Sequence, residues 1–206
     1  MNTPLDETSL RNALSGSSLV QQVFFFQEID STNDYLKSIA VRQPDSHGIL
    51  VVAEKQNRGR GRFGKTWISH EGKALMFSML FAPAPLSEIE WMDLGCNACH
   101  TVVRKNYYRR VEKKYPNDLL IGSRKFCGIL TDVIRRGNEI NRVIMGIGMN
   151  VNQGETDFSP SMRGYATSIA IALGHSVDRL QLLTRIVHQM ERSFQLKMAN
   201  TELRLP

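Results

Sequence analysis

Short apolar runs separated by polar, turn-forming stretches organise this chain, and most of the runs are too short and too rich in β-branched and aromatic residues to be helices. Val23 to Ile29, Ile49 to Ala53, Ala74 to Phe81, Leu119 to Ile121, Lys125 to Val133 and Arg142 to Val151 read as strands. The apolar period lengthens to three and four elsewhere. Leu36, Ile39 and Ala40 share one helical face after the capping cluster Asp30-Ser31-Thr32-Asn33-Asp34. From Glu88 a longer helix places Ile89, Met92, Cys96, Cys99, Val103 and Tyr107 on its buried stripe. Thr167 to Leu173 reads as a short helix closed by Gly174, and Ser176 begins a last helix with Leu180, Leu183, Val187, Met190 and Phe194 facing inward.

Composition narrows the picture only modestly. With 206 residues and 42% hydrophobic content there is enough material for one substantial core. Residues 1–22 are polar and mixed, and read as an N-terminal extension ahead of a domain over 23–206. No run of 18 apolar residues and no signal-like N-terminus occur, which predicts a cytoplasmic protein with no membrane partner. Three cysteines, an odd number, predict free thiols. The net charge of +6 favours anionic ligands or an acidic protein partner without selecting one.

The sharpest signal lies between the second and third strands. Glu54 to Trp67 carries three glycines and five cations, a composition that cannot pack as a core element and that suits phosphate or carboxylate. Gly59-x-Gly61-x-x-Gly64 matches the dinucleotide-binding fingerprint letter for letter, yet a strand follows it where that fingerprint needs a helix. The Rossmann reading is therefore rejected. Cys96-Asn97-Ala98-Cys99-His100 likewise spells a haem-attachment pattern, but both cysteines belong to the apolar stripe of a helix and read as small buried hydrophobes.

Two later segments add polar groups to apolar strands. Pro116-Asn117-Asp118 forms a turn, Gly122-Ser123 a tight turn, and Lys125 heads a strand whose Gly128 leaves room against the backbone. Gly146 and Gly148 alternate on one face of the next strand, at a cost in strand stability that a packed ligand or backbone would explain. A helix N-terminus at Ser31 to Asn33 could receive a carboxylate or carbonyl, though taken alone those residues read first as an ordinary helix cap.

These segments together resemble the catalytic domain of biotin protein ligases. The resemblance rests on Gly59-Arg60-Gly61-Arg62-x-Gly64-x-x-Trp67, on Lys114-x-Pro116-Asn117-Asp118 followed by Lys125-x-x-Gly128, on Gly146-x-Gly148-x-Asn150, and on Ser31-Thr32-Asn33. It spans about residues 23 to 190. The fold it implies is α+β, a mixed, largely antiparallel sheet flanked by helices, of the class II aminoacyl-tRNA synthetase-like, biotin/lipoate ligase type. The activity it implies uses ATP and Mg²⁺ to convert biotin to biotinyl-5′-AMP and then biotinylates a lysine of a biotin carboxyl carrier domain. On this resemblance Lys125 bridges carboxylate and phosphate, Arg60 closes over biotin and Arg62 over the adenylate phosphate. Thr32 and Gln56 bind the biotin head group beside Ser31 and Asn33, while Gly59, Gly128 and Gly148 line its slot. Trp67 covers the biotin or adenine pocket, Lys114, Asn117 and Asn150 hold the nucleotide, and Asp118 is an outer contact for Mg²⁺.

Tyr115 stands where the family usually has Trp, a change expected to alter packing more than chemistry. The chain ends at Pro206, so the small C-terminal β-barrel of many relatives is expected to be absent or truncated; residues 1–22 leave no room for a DNA-binding domain. A monomer or weak homodimer without specific nucleic-acid binding is expected. Lipoate-protein ligase, which shares fold and chemistry, is the nearest alternative. A nucleic-acid-binding protein using Arg58, Arg60 and Arg62 is a more distant one, because it leaves Lys125, Gly146 and Gly148 without a role. The loop at 58–66 is expected to be mobile until a ligand orders it.

Overall fold

Seven strands form one mixed sheet in the order β1-β2-β3-β7-β6-β5-β4. They are β1 (Gln22–Ile29), β2 (Ile49–Gln56), β3 (Ala74–Phe81), β4 (Val111–Lys114), β5 (Asp118–Ile121), β6 (Arg124–Arg136) and β7 (Glu139–Asn150). The computed structural model describes residues 5–202 except Ser69, Ala84 and Arg109, and except the side chains of 200–202. Residues 1–4 of the expected extension and 203–206 at the chain end lie outside the described residues. The strand pair β1–β2 is parallel and every other pairing is antiparallel. A parallel pair needs a crossover, and α2 (Thr32–Arg42) supplies it.

The helices divide unequally between the two faces. On one face α3 (Glu88–Asn106) and α5 (Arg179–Glu202) pack over the main core, joined by α1 (Glu7–Leu14). Trp91 anchors that layer, 1% exposed and stacked between Phe81 at 4.4 Å and Phe194 at 5.3 Å. Truncating such a ring costs about 3–5 kcal/mol. On the other face α2 alone covers the sheet, through Leu36, Ile39 and Ala40 against Val51, Leu80 and Ile144. One helix cannot span seven strands, so part of this face is left open as a cleft.

The predicted elements are found with shifted ends. Residues 5–20 belong to the fold, because Leu5, Leu10, Leu14 and Val20 are buried in the main core. Ile89 is not on the buried stripe of α3; it is 54% exposed, and Trp91, Leu94, Ala98 and Val102 widen the stripe instead, as a helix packed against both a sheet and α5 requires. The last helix starts at Arg179 and not Ser176, since the Asp178 carboxylate accepts the Gln181 N–H at 2.9 Å. The short α4 (Ile169–Leu173) starts two residues later than the pattern predicts, capped by Ser168, and ends as expected at Gly174 with φ +77°. All three cysteines are free and buried. Burial pushes the Cys96 thiol up to about 12 and the Cys127 thiol well above its usual range, consistent with packing groups and not nucleophiles. No helix among the described residues is long and apolar enough to cross a membrane.

Candidate active site

The open part of the sheet holds a narrow cleft, exposed to solvent at its mouth. Ser31, Thr32 and Asn33 border it at the start of α2, Gln56 at the end of β2, and Lys125 and Gly128 on β6. Gly146 and Gly148 on β7 and the loop residues Arg60, Arg62 and Trp67 complete it, with Asn117 at one side. Its floor is the place where adjacent strands both lack side chains, since Gly128 pairs with Gly148 across β6 and β7. A Cβ on Gly148 would fall 2.5 Å from the Trp67 indole, and one on Gly146 only 2.1 Å from Asn33 Oδ1. The alternating glycines therefore admit two specific side chains. The Trp67 ring lies over this glycine floor, 5.5 Å from the Lys125 ammonium.

A chain of buried hydrogen bonds runs beneath the cleft. Gln56 Oε1 accepts from the Thr32 N–H at 2.8 Å and from Thr32 Oγ1 at 3.1 Å. Thr32 Oγ1 lies 2.6 Å from Ser78 Oγ, which donates to Asn33 Oδ1 at 2.5 Å. Asn33 Nδ2 in turn donates to Asp132 Oδ2 at 2.8 Å. Ser31 remains a helix cap, accepting the Asp34 N–H at 3.3 Å. Such a network fixes rotamers, because each buried group loses its partner if a neighbour turns.

The cations are held by carboxylates. Lys125 Nζ lies 2.6 Å from Asp118 Oδ1. Arg60 Nη2 lies 2.8 Å from Asp34 and 2.9 Å from Asp132, and Lys37 lies 3.0 Å from Asp132. Burial alone would raise the Asp132 carboxyl, but the Asn33 hydrogen bond and the charges of Lys37 and Arg60 outweigh it and hold the group below its usual range. Arg62 Nη1 donates to Asn117 Oδ1 at 3.1 Å. Asp118 is the carboxylate nearest the cleft's lysine, and among the described residues no three His, Cys, Asp or Glu gather to hold a metal. That sparse donor set fits a Mg²⁺ carried mainly by phosphate oxygens.

Four predicted residues do not border the cleft, among them Asp118, which reaches it only through its ion pair with Lys125. Asn150 is buried, donating to Thr167 O at 3.1 Å and accepting from Gln153 at 3.0 Å, so it pins the end of β7. Lys114 is exposed on the edge strand β4, directly across from Asp118. Gly59 shapes the loop: its carbonyl accepts the Trp67 N–H at 2.9 Å, and a Cβ there would strike Trp67 O at 2.5 Å. Conversely, Ser78 and Asp132 are integral to the site although each sits inside a strand pattern that gave no reason to single it out. A buried serine and an aspartate amid apolar neighbours were the available signals.

Residues 25–150, more than half of the chain, match the biotin/lipoate A/B protein ligase family. The bifunctional ligase/repressor BirA of Bacillus subtilis is 31% identical over 192 residues, covering 92% of this chain; the chain spans 59% of that relative's length. A biotin--[acetyl-CoA-carboxylase] ligase of Mycobacterium tuberculosis is 30% identical, covering 98% of this chain and 76% of the relative. Among solved structures, biotin protein ligase from Aquifex aeolicus in complex with biotin and ATP superposes with a TM-score of 0.73 at 27% identity, over 85% of this chain and 71% of that one. A lipoate protein ligase from Thermoplasma acidophilum has the same fold at a TM-score of 0.59 and 11% identity. The matched stretch runs from β1 to the end of β7 and contains the glycine floor, the arginine loop and Lys125, so this chain belongs to the biotin/lipoate A/B protein ligase family.

Proposed function

We propose that residues 23–206 form the catalytic unit of an ATP-dependent biotin protein ligase. The observation that carries this reading is the convergence of Lys125, Arg60 and Arg62 on one glycine-floored cleft that also presents Thr32 and Gln56. The first step joins two anions. A biotin carboxylate oxygen attacks the α-phosphorus of ATP, the bond to the β-phosphate oxygen breaks, and pyrophosphate leaves. Charge accumulates on phosphoryl oxygens, so fixed cations in a cleft shielded from water lower the barrier most. Lys125 bridges the carboxylate and α-phosphate, Arg60 engages the biotin end and Arg62 the phosphate end. Thr32 and Gln56 orient the polar ring of biotin, with Ser31 and Asn33 behind them. Trp67 over Gly128 and Gly148 shields the acyl phosphate, and Asn117 with Lys114 supports the nucleotide. Asp118 would be the outer contact for a Mg²⁺ carried by ATP, which would supply charge neutralisation for the pyrophosphate.

In the second step the amine of an acceptor lysine attacks the acyl carbon, AMP leaves, and the amine loses its proton. The acceptor is the biotin carboxyl carrier domain of a biotin-dependent carboxylase. Biotin and lipoate separate the two readings of the family. Incubated with ATP and Mg²⁺, the protein is expected to form biotinyl-AMP detectable by mass spectrometry and to label a carrier domain. Formation of lipoyl-AMP without biotinyl-AMP would overturn the assignment.

A further inference from the structure

Two stretches flank Lys125: the arginine–glycine loop, and the segment after β7 whose Tyr165 carbonyl accepts the Lys125 N–H at 2.7 Å while the Thr167 N–H donates back at 2.9 Å to Lys125 O. Both return to the three residues Gly72, Lys73 and Ala74. The Gly72 N–H donates to Glu54 Oε2 at 2.9 Å, which ties the end of the loop to β2, from which the loop departs. Glu54 is also gripped by both guanidinium nitrogens of Arg179, at 2.8 and 2.7 Å, and Arg179 donates to Ala74 O at 2.9 Å. This pair is nearly buried, with side chains 13% and 8% exposed, and it fastens both feet of the loop to the first turn of α5.

Lys73 reaches the other way. Its ammonium lies 2.7 Å from each oxygen of Asp157, and its carbonyl accepts the Asn152 N–H at 2.8 Å. Asp157 also accepts the Gly154 N–H at 2.7 Å, so it is built into the turn that opens the second segment. The Lys73 contact holds the Asp157 carboxyl below its usual range. An isolated surface pair contributes little. This one differs in being doubly bonded at both ends of a backbone contact and in sharing its foot with the buried Glu54–Arg179 pair.

We infer that Lys73 and Asp157 are positioning residues whose ion pair holds the arginine–glycine loop and the 154–165 segment as one unit, anchored on α5 through Glu54 and Arg179. Neither Lys73 nor Asp157 borders the cleft; they act through the two segments that flank Lys125. The inference rests on the ligase reading only for its kinetic arm. Its structural arm is hydrogen exchange of the full chain without substrates. Lys73→Ala and Asp157→Ala should each speed exchange about threefold to tenfold in both 58–68 and 154–165. Combining Lys73→Ala with Asp157→Ala should speed exchange no further than Asp157→Ala alone, with the thermal midpoint nearly constant throughout. Arg179→Lys, which keeps charge but loses the fork, should loosen both segments together. In the kinetic arm the single variants should raise KM for ATP by about the same threefold to tenfold, with kcat nearly unchanged. Faster exchange confined to the mutated residue's own segment, or additive effects in the double variant, would overturn the coupling. Absence of adenylation in the unaltered protein would overturn the ligase reading and leave the exchange result standing.

Discussion

Lys125 and Arg60 border the same cleft, but the chain places them by different means. Lys125 is the second residue of β6, its backbone bonded on one side to Tyr165 and Thr167 and its ammonium to Asp118. Its position follows from the sheet. Arg60 sits on a loop and is paired there in an isolated bridge to Thr66, and its guanidinium is oriented by Asp34 and Asp132. A strand-borne cation is fixed before any ligand arrives, whereas a loop-borne one is held by ion pairs that a ligand carboxylate or phosphate can replace. The contrast separates a group suited to the reaction's invariant step from groups suited to capture and closure.

Lys125→Ala should have the largest effect, because removing a preorganised donor from developing phosphoryl charge lowers the rate by about 10²–10³-fold. That loss should appear in single-turnover adenylate formation and leave biotin affinity less changed. Arg60→Ala should do the reverse, weakening biotin binding by about tenfold or more, as measured by calorimetry, since a charge-assisted hydrogen bond contributes about 1.5–3 kcal/mol. Equal effects of both variants on affinity and rate would erase the distinction between the two cations.

Asp132 tests the means by which Arg60 is held. Its carboxyl lies below the ordinary 3.8 in the folded protein. A depressed carboxylate contributes stability above that ordinary value and loses it as pH falls through the lower folded one. Loop anchoring should therefore persist through neutral and mildly acidic pH and weaken only below about pH 4. Proteolysis within 58–66 as a function of pH should show this, and Asp132→Asn should give about a twofold to fivefold faster cut at pH 7 without the acid step. The smallest expected effect is ligand protection: biotin with ATP should slow cleavage of 58–66 severalfold in the unaltered protein, and equal rates would show that the loop does not close.

Much of this arrangement was legible in the residues. The apolar runs located all the strands of the cleft, and the spacing of Gly128, Gly146 and Gly148 marked its floor, because glycine inside a strand needs a reason. The helix cap at Ser31, and the tight turn in which Gly122 and Ser123 both take positive φ, were written in local chemistry. What could not be read were contacts between residues far apart in the chain. Ser78 meets Thr32 across 46 positions, and Arg179 meets Glu54 across 125. Neither spacing nor periodicity carries that information. Asn150 shows the opposite error: it lies in a signature strand end, but its amide is spent on Thr167 and Gln153. The family motif marked Trp67 as a cover for a pocket, but not the glycines it would lie on, since glycine admits a neighbour without saying which one.

The most direct measurement is exchange of labelled pyrophosphate into ATP, with and without biotin, in the unaltered protein, Lys125→Ala and Arg60→Ala. Biotin-dependent exchange in the unaltered protein is predicted. Lys125→Ala should abolish it at any biotin concentration, and Arg60→Ala should recover it as biotin is raised. Exchange that ignores biotin, or that survives in Lys125→Ala at the unaltered rate, would contradict the account.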